Sequence, residues 1–523
     1  MVNIQLSENK AFRWHVRNNI YVRGFLFAPD GRLYQEEDAG LYFDNIVDEN
    51  DFQQKLLSAN GIFSVIIQKE KTVWMAVDRF RYFPLFYRQK EDGIYISDEV
   101  SRLYEDTESK ILDREAYLCF TGCSYVLGNK TLLKDTFQVQ AGEFIVCNSN
   151  RIISTFYHQY FAAIQPISFD EAKIRLKTIF QNLADRISQL IGDRPVILSL
   201  SGGLDSRLIA YLLKIAGIKN VLCFTFGKKE GNPEWQRSKA VAEKLGFSWL
   251  FIDYTSIQDT QFYQQKQFID FYTYEAQYVS KFGFMQYFAA NHLIKVLKIA
   301  PNSIMLSGHG GDFFSGSHLR PYMQTYQSVT TIAKDLQYIH CNLIRLNKKE
   351  RNQIRTIIGN EMLDRSPLFN NIENWDLKER QAKYILNTNK IWEYYGIKSF
   401  IPLCDTELMD FFVTLPFEYR LNQELYKTVV FELFDEFDIR FPSDNRRQEK
   451  SMIQQVKIQI KRILPFLRKK GNLFQYDYFD YERLVQPVLQ ELKEANRDKK
   501  IRDMNGIFLE WYLMQIESQC KNT

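Results

Sequence analysis

The chain has few of the residues that form metal centres and disulfide frameworks. Its seven cysteines and six histidines are scattered over 523 residues. Cys119 and Cys123 are the closest pair of cysteines, and neither a second close pair nor a histidine cluster completes a zinc site. The number of cysteines is odd, and most of them lie in apolar stretches. This pattern favours buried, reduced thiols in a cytoplasmic protein.

Long apolar runs and a large excess of one charge are also absent. The sequence nowhere contains the roughly 18 consecutive apolar residues of a transmembrane helix, and residues 1–14 lack the basic-then-apolar pattern of a signal peptide. The net charge of +4 results from 67 basic and 63 acidic side chains and gives no general argument for nucleic-acid binding. We therefore expect no transmembrane segment and no nucleic-acid partner.

The apolar content is sufficient for large cores, at 45% hydrophobic residues. The chain length predicts two or three domains. Residues 1–160 contain short β-branched and aromatic runs between turn signals, which indicates a mostly β region. Strand and helix patterns alternate over residues 168–435 and predict a parallel sheet with ligands at the carboxyl ends of its strands. Residues 436–523 are interpreted as a basic, helical C-terminal extension.

The most informative stretch is residues 194–217, RPVILSLSGGLDSRLIAYLLKIAG. A predicted strand ends near Leu200, residues 201–206 (the first glycine loop) follow, and apolar residues then recur at helical spacing. Adjacent glycines let the backbone approach a ligand, and the start of a helix offers unpaired N–H groups to an anion. The loop is therefore interpreted as a phosphate site. Asp205 would repel a phosphate directly, so it is predicted to bind Mg²⁺. A tight turn without a ligand is the alternative.

A second glycine-rich stretch follows another predicted strand, at residues 303–307. Residues 307–312, SGHGGD (the second glycine loop), contain three glycines in four positions. Such spacing favours a nest of backbone N–H groups. Because ligands of parallel sheets bind at the carboxyl ends of the strands, this loop is expected to lie at the ligand-binding edge.

These motifs resemble those of a known family. The first glycine loop resembles the pyrophosphate-releasing loop of ATP pyrophosphatases, and the second loop, residues 401–405 (IPLCD) and Lys427 narrow the resemblance to the asparagine synthetase superfamily. Six short segments of the N-terminal region resemble, in the same order, segments of the glutaminase domain of asparagine synthetases. They begin at residues 61 (GIFSV), 78 (DR), 84 (PLFY), 96 (ISDE), 131 (TLLK) and 141 (AGE). The likeness covers roughly residues 20–435.

The resemblance implies an α/β and α+β fold. An N-terminal αββα sandwich of the N-terminal-nucleophile type precedes a parallel-sheet ATP-pyrophosphatase domain with a helical C-terminal part. It also implies that Lys427 is a catalytic cation beside an adenylated carboxylate, with an ordinary helix-surface lysine as the alternative. The residues implied to bind ATP and pyrophosphate are Leu200, Ser201, Gly202, Gly203, Asp205, Ser206, Phe226, Gly308, Gly310 and Gly311, with Mg²⁺ on Asp205 and Asp312.

Three positions depart from the family pattern. Val2 stands where glutaminase domains have an N-terminal cysteine, so we expect no glutamine hydrolysis unless translation starts upstream. The resemblance to β-lactam synthetases and lasso-peptide cyclases implies a domain retained as a scaffold. Phe313 replaces a glutamate after Asp312, and Lys398 replaces a glutamate in or near the expected substrate pocket.

The predicted function is an ATP- and Mg²⁺-dependent amide-forming ligase. It would adenylate a small-molecule or peptide carboxylate, release pyrophosphate, and release AMP when an amine or ammonia attacks. The alternatives are an enzyme of the same superfamily that amidates or cyclises a peptide, glycan or natural product, a nucleotide-binding pseudoenzyme, and an RNA-modifying pyrophosphatase. A homodimer remains open. The basic segment 440–470 is interpreted as a solvated helix face, with an anionic partner as the alternative.

Overall fold

The computed structural model describes residues 2–105, 108–148, 151–363, 366–445, 473–474 and 477–520. Most of the basic segment 440–470 lies outside these residues, so its interpretation stays a prediction. None of the helices in the described ranges combines the length and apolar character needed to cross a bilayer.

The N-terminal region folds into two stacked sheets. The smaller sheet has the order β1-β8-β7-β9, and the larger has the order β11-β10-β6-β5-β3-β2 with β4 paired to β3. The strands are β1 (Val2–Gln5), β2 (His15–Arg17), β3 (Ile20–Phe27), β4 (Leu33–Gln35), β5 (Asn60–Gln68), β6 (Val73–Val77), β7 (Phe86–Lys90), β8 (Gly93–Ser97), β9 (Thr136–Gln138), β10 (Glu143–Asn148) and β11 (Arg151–Phe156).

Helices cover the outer faces of both sheets. Ile66 of the larger sheet and Ile96 of the smaller sheet share one buried cluster, so the two sheets pack face to face. Trp74, on the other face of the larger sheet, packs with Phe52 of α1 (Glu49–Ser58). Phe86 of the smaller sheet clusters with residues of α2 (Arg114–Cys123). The layer order is helix, sheet, sheet, helix, which confirms the predicted αββα sandwich.

The second region is built on a parallel sheet. Its strands are β12 (Val196–Ser199), β13 (Val221–Gly227), β14 (Ser248–Asp253), β15 (Ile304–Leu306) and β16 (Lys398–Phe400). Their order is β14-β13-β12-β15-β16, and each neighbouring pair is parallel. Strands β13 and β14 lie in succession on one side of β12, whereas β15 and β16 lie on its other side. The strand order therefore reverses between β12 and β15, where open α/β sheets bind their ligands.

Helices pack on both faces of this sheet, and helices also form the C-terminal part, as predicted. Val196 and Leu198 of β12 enter one apolar cluster, whereas Ile197 enters the cluster on the opposite face. The helices are α3 (Phe169–Ile191), α4 (Leu204–Ile215), α5 (Glu234–Leu245), α6 (Lys266–Ala276), α7 (Tyr287–Asn291), α8 (Gly311–Phe314), α9 (Val329–His340), α10 (Lys348–Gly359), α11 (Leu368–Asp376), α12 (Lys390–Tyr394), α13 (Thr406–Thr414), α14 (Phe417–Arg420), α15 (Glu424–Asp435), α16 (Tyr481–Glu494) and α17 (Asn505–Gln519).

The N-terminal and C-terminal regions share buried contacts. The ring of Phe120 on α2 lies 5.6 Å from that of Tyr512 on α17, and the Tyr117 hydroxyl donates a hydrogen bond to the Glu517 carboxylate. Both aromatic residues belong to an apolar cluster that also contains strands of the parallel sheet. The domain boundaries near residues 160, 168 and 435 stay predictions, and packing is continuous across them.

One pair of cysteines departs from the expected reduced state. Cys123, at the end of α2, and Cys341, after α9, form a disulfide with their Cα atoms 4.3 Å apart. The expectation of reduced thiols is wrong for this pair, because 218 residues separate the partners and their proximity exists only in the folded chain. The other described cysteines are free, as expected.

Candidate active site

The first glycine loop connects β12 to α4. Gly202 has a positive φ of 76°, and a Cβ at this position would lie 2.8 Å from the Cβ of Arg237, so only glycine fits. The Ser201 hydroxyl lies 3.1 Å from the Ser206 hydroxyl and accepts the Gly203 N–H at 3.3 Å. These short-range bonds fold the loop against the start of α4, whose first N–H groups have no partner within the helix. The loop therefore offers the predicted anion site.

The second glycine loop lies directly against the first. It follows β15, which pairs with β12. A Cβ at Gly308 would lie 2.6 Å from the backbone N of Ser206, and one at Gly311 would lie 2.6 Å from Cγ of Asp205. Real Cβ atoms essentially never come this close to other atoms. Two of the predicted glycines therefore let the loops touch, which brings Asp205 and Asp312 together.

Asp205 is held by contacts from two elements. One carboxylate oxygen accepts the backbone N–H of Asp312 at 2.8 Å, and the other accepts the Tyr426 hydroxyl at 2.6 Å. Burial and the neighbouring charge of Asp312 raise the pKa of Asp205 to about 7. Among the described residues, no lysine or arginine forms an ion pair with either aspartate.

This arrangement fits a divalent cation. The charge of Asp312 acts on the carboxyl group of Asp205, and the described residues contain no group of three or more His, Cys, Asp or Glu that could hold a metal alone. Mg²⁺ is commonly bound through one or two carboxylates together with phosphates of the substrate, rather than by a complete protein cage. Asp205 and Asp312 are thus suited to a Mg²⁺ ion that arrives with a nucleotide.

The remaining predicted site residues lie around this pair at different depths. Leu200 is fully buried, and its backbone N–H and C=O bond Phe224 and Thr225 of β13, so its side chain belongs to the core. Phe226, half-buried at the end of β13, has its ring 5.2 Å from Tyr254 and 5.5 Å from Phe479. Phe226 therefore has aromatic neighbours at the carboxyl end of β13.

Lys427 is adjacent in sequence to Tyr426, whose hydroxyl bonds Asp205, but its own ammonium group bonds neither Asp205 nor Asp312. It follows Tyr426 on α15, and its ammonium group donates to the backbone carbonyl of Asn422 at 2.8 Å. Burial lowers the pKa of Lys427. Its role as a catalytic cation stays a prediction that needs a change of rotamer.

Two departures from the family pattern have structural explanations. Phe313, in α8, is buried, and its ring stacks on His318 with centroids 5.4 Å apart, so this position packs in the core. Lys398 pairs with Ile304, the first residue of β15, and its ammonium lies 2.7 Å from the Glu36 carboxylate. Lys398 therefore lies at the amino ends of the strands, whereas the glycine loops follow their carboxyl ends.

Several residues of the site carry no local signal in the sequence. Asn389 donates to the Ser307 hydroxyl at 2.9 Å, and that hydroxyl lies 2.9 Å from Nδ1 of His309. Burial lowers the pKa of His309, which favours the neutral ring. Arg207, after the first glycine loop, forms two hydrogen bonds with the Asp444 carboxylate, at 2.7 and 3.0 Å. Their partners are distant in sequence, so only the folded chain identifies them.

A C-terminal segment covers the end of β13 next to the site. The Lys228 N–H donates to the Tyr478 carbonyl at 2.9 Å. A Cβ at Gly227 would lie 2.5 Å from that carbonyl oxygen, so glycine allows the close approach. Asp444, near the start of the basic segment, and Tyr478, after its end, thus contact elements next to the first glycine loop.

Comparisons with known proteins agree with this architecture. A family model described as asparagine synthase matches residues 181–512, and one described as a glutamine amidotransferase domain matches residues 49–161. The microcin J25-processing protein McjC of Escherichia coli is 24% identical over 217 residues, or 40% of this chain and 39% of that protein. A glutamine-hydrolysing GMP synthase of Prochlorococcus marinus is 26% identical over 207 residues, or 36% and 38% of the two chains.

The matches to these relatives are partial. The chain spans less than two fifths of the length of both curated relatives. Among solved structures, the NH3-dependent NAD synthetase of Campylobacter jejuni is 15% identical, with 38% of this chain and 99% of that chain covered and a TM-score of 0.20.

Proposed function

Because the chain belongs to the asparagine synthase family, we propose that it is a ligase that couples cleavage of ATP to formation of an amide. One observation carries the proposal. Two glycine loops meet at the point where the strand order of the parallel sheet reverses, and each loop contributes one aspartate to the same spot. Backbone N–H groups for phosphates beside carboxylates for a metal suit a nucleoside triphosphate bound with Mg²⁺.

The loops and helix α4 suggest how ATP would be held. Backbone N–H groups of the first glycine loop and of the first turn of α4 would bind phosphate oxygens, and the positive end of the helix dipole favours their charge. Mg²⁺, held by Asp205 and Asp312, would neutralise charge on the departing pyrophosphate. The side chains of Ser201 and Ser206 would orient the same phosphates by hydrogen bonds.

The proposed reaction has two steps. A carboxylate oxygen of the substrate attacks the α-phosphorus of ATP, the bond between the α-phosphorus and the bridging oxygen breaks, and pyrophosphate leaves. The amine nitrogen then attacks the acyl carbon, loses a proton, and displaces AMP with its oxygen. The glycine loops act on the first step, because the charge that develops there lies on the leaving pyrophosphate.

We propose further that the amine is taken up directly and is not generated from glutamine. The cysteines of the described N-terminal sandwich are Cys119, Cys123 and Cys147, which are all buried, and Cys123 is held in a disulfide. Burial raises the pKa of Cys119 to about 12 and that of Cys147 to about 11, which disfavours the reactive thiolate. The sandwich then serves as a scaffold.

The experiment that tests this function is a product assay. The purified protein is incubated with ATP, Mg²⁺, aspartate and either ammonium or glutamine, and pyrophosphate, AMP and asparagine are measured. Asparagine from ammonium alone identifies aspartate as the carboxylate. Pyrophosphate without asparagine supports adenylation and directs the search to peptide and other carboxylates. If ATP and Mg²⁺ bind but no carboxylate yields pyrophosphate, the pseudoenzyme replaces the ligase.

Replacing Lys427 by methionine is expected to slow pyrophosphate release by about a hundredfold or more. The reason is that a preorganised cation beside developing charge lowers the activation barrier by about 2.7–4 kcal/mol. ATP binding should change little, because the ammonium bonds a backbone carbonyl in the structure described here. The rate is measured by a coupled pyrophosphate assay. Lys239→Met, on the exposed face of α5, serves as the control. A Lys427→Met enzyme as fast as the wild type would make Lys427 an ordinary surface residue.

Metal affinity is expected to depend on pH through Asp205. The pKa of about 7 lies above the ordinary value, so the folded protein binds a proton there more tightly than the unfolded chain does. The contribution of this protonation to the free energy of unfolding is fully present below the ordinary pKa of an aspartate. It is lost as the pH rises through 7, the pKa of Asp205 in the folded protein. Mg²⁺ needs the deprotonated carboxylate, so its affinity should rise by about tenfold per pH unit below pH 7 and level off above it.

Calorimetric titration of Mg²⁺, in the presence of the uncleavable α,β-methylene analogue of ATP, measures this pH dependence. The Asp205→Asn variant should bind the metal weakly at every pH because it lacks the titrating carboxylate. A wild-type affinity that stays flat between pH 5.5 and pH 8 would contradict the assignment of Asp205 as a ligand.

A further inference from the structure

A cavity lies away from the glycine loops, between the N-terminal sandwich and the parallel sheet. Its volume is about 320 Å³, and we call it the interdomain cavity. Gly24 and Phe25 of β3 line it on one side, and Ile304 and Phe400 line it on the other. Ile304 is the first residue of β15, so the cavity meets the sheet at the amino end of this strand. No residue of either glycine loop lines the cavity, so it is separate from the proposed nucleotide site.

The inner surface of the interdomain cavity is apolar and aromatic. Phe12, Phe25 and Phe400 line it, and each of these side chains is at least nine-tenths buried. The rings of Phe25 and Phe400 meet edge to face at 5.6 Å, across the boundary between the two regions. Phe12 is fixed by an edge contact with Phe83 at 4.9 Å. Rings held in this way form a preformed surface for a flat apolar group.

The mouth of the cavity is cationic. Lys10, Arg13, Arg194 and Lys398 line it, and Glu36 is the single carboxylate in the lining. Glu36 pairs with Lys398 at 2.7 Å. The hydrogen bond and charge of Lys398 lower the pKa of Glu36, with smaller contributions from neighbours that include Arg194, so these groups face one common space. The Glu36 carboxylate is therefore already paired with the Lys398 ammonium group.

Two of the cations have no ion-pair partner among the residues that the structure describes. Lys10 and Arg13 are exposed, and neither forms an ion pair or hydrogen bond with another described side chain. The stem of Lys10 lies along Gly396, where a Cβ would come within 3.3 Å of the Lys10 Cβ. Arg194 is bound through its guanidinium to the backbone carbonyls of Leu190 and Ile191 and keeps its charge. An anion at the mouth would meet several cations at once.

We propose that the interdomain cavity binds a small organic anion, a carboxylate or a phosphate monoester with an apolar or aromatic body. The head group binds Lys10 and Arg13, and the body lies against the phenylalanine rings. Such a ligand contacts both the sandwich and the sheet, so it stabilises the folded protein by binding the two regions together. It also lies at the base of β15, whose other end continues into the second glycine loop.

The test uses 2-naphthoate and 1-naphthyl phosphate as anionic probes and 2-naphthalenemethanol as the uncharged counterpart. Binding is measured by calorimetry in the presence of saturating α,β-methylene-ATP and Mg²⁺, so that the nucleotide site is filled. At least one anion is expected to bind saturably, and about tenfold more tightly than the alcohol, because charge-assisted hydrogen bonds are lost with the head group. The better of the two anions identifies the head group.

The variant Lys10→Gln/Arg13→Gln removes two positive charges at exposed positions and should weaken binding of the better anion by about tenfold or more. Lys348→Gln/Lys349→Gln, which removes the same charge from the exposed start of α10, should bind as the wild type does. Thermal unfolding without ligand verifies that both variants fold. Absence of saturable binding of both anions, equal binding of the alcohol, or unchanged binding by the Lys10/Arg13 variant would overturn the proposal.

Discussion

Replacing Asp205 by asparagine is expected to abolish pyrophosphate release from ATP, with a rate at least about a thousandfold below the wild type. The substitution keeps the shape of the side chain but removes a negative charge and a ligand for Mg²⁺. Asparagine can still accept the Asp312 N–H through its oxygen, while its NH₂ donates to the Tyr426 hydroxyl oxygen. The fold should therefore persist, and the loss should be specific to the metal and nucleotide.

The comparison requires two measurements on the Asp205→Asn protein. Pyrophosphate release is followed in the coupled assay, and binding of α,β-methylene-ATP is titrated with and without Mg²⁺. We expect weak binding that no longer responds to the metal. Asp193→Asn, an exposed aspartate in the turn after α3, is the matched control and should behave as the wild type does. Pyrophosphate release by Asp205→Asn at a rate near the wild-type rate would disprove the site.

The second large effect is on stability and involves Arg420. Its side chain is about 1% exposed and donates to both oxygens of the buried Glu373 carboxylate, with Nη1 to Oε2 at 3.0 Å. It also donates to the carbonyl of Phe314, at the end of α8, at 3.2 Å. Arg420→Met leaves the carboxylate buried without its main partner, so we expect a loss of about 3–5 kcal/mol in the free energy of unfolding.

The size of this loss should depend on pH. Burial acts to raise the pKa of Glu373, but the charge of Arg420 and a hydrogen bond from His318 outweigh it, so the pKa is lowered. The pair therefore contributes stability above the ordinary pKa of glutamate and loses it as the pH falls. The difference between wild type and Arg420→Met should accordingly be largest near neutral pH and shrink under acidic conditions.

Urea denaturation followed by tryptophan fluorescence measures the effect. The double variant Arg420→Met/Glu373→Gln removes the unpaired charge together with its partner and should recover much of the stability. A loss below about 1 kcal/mol in the single variant would match an exposed salt bridge and contradict the buried role assigned to the pair. Equal losses in the single and double variants would attribute the effect to packing of the arginine stem.

Local patterns of the sequence predicted the parallel sheet and both glycine loops. A strand that ends in glycines and an acidic residue constrains its own backbone, because close approach and positive φ angles limit the residue types allowed there. The family resemblance predicted Asp312 beside Asp205, and the pairing of β15 with β12 brings both loops to one edge of the sheet. The αββα sandwich came from the family resemblance, on segments that are individually short.

Contacts between distant segments could not be predicted in this way. The Tyr426 hydroxyl that binds Asp205 and the disulfide between Cys123 and Cys341 each join residues more than 200 positions apart. No periodicity or spacing encodes such a pair, because it depends on how whole elements pack. Phe313 differs from these cases, since it stacks on His318 only five positions later.

The packing of α17 on α2 has a consequence for biosynthesis. The ribosome completes α2 at residue 123, but the helix that covers Phe120 ends only at residue 519. At about 5–20 residues per second, synthesis of the intervening chain takes roughly 20 to 80 s. During this time an apolar face of the nascent sandwich stays uncovered. We therefore expect the growing chain to depend on chaperones, and fragments that end before α17 to aggregate when expressed alone.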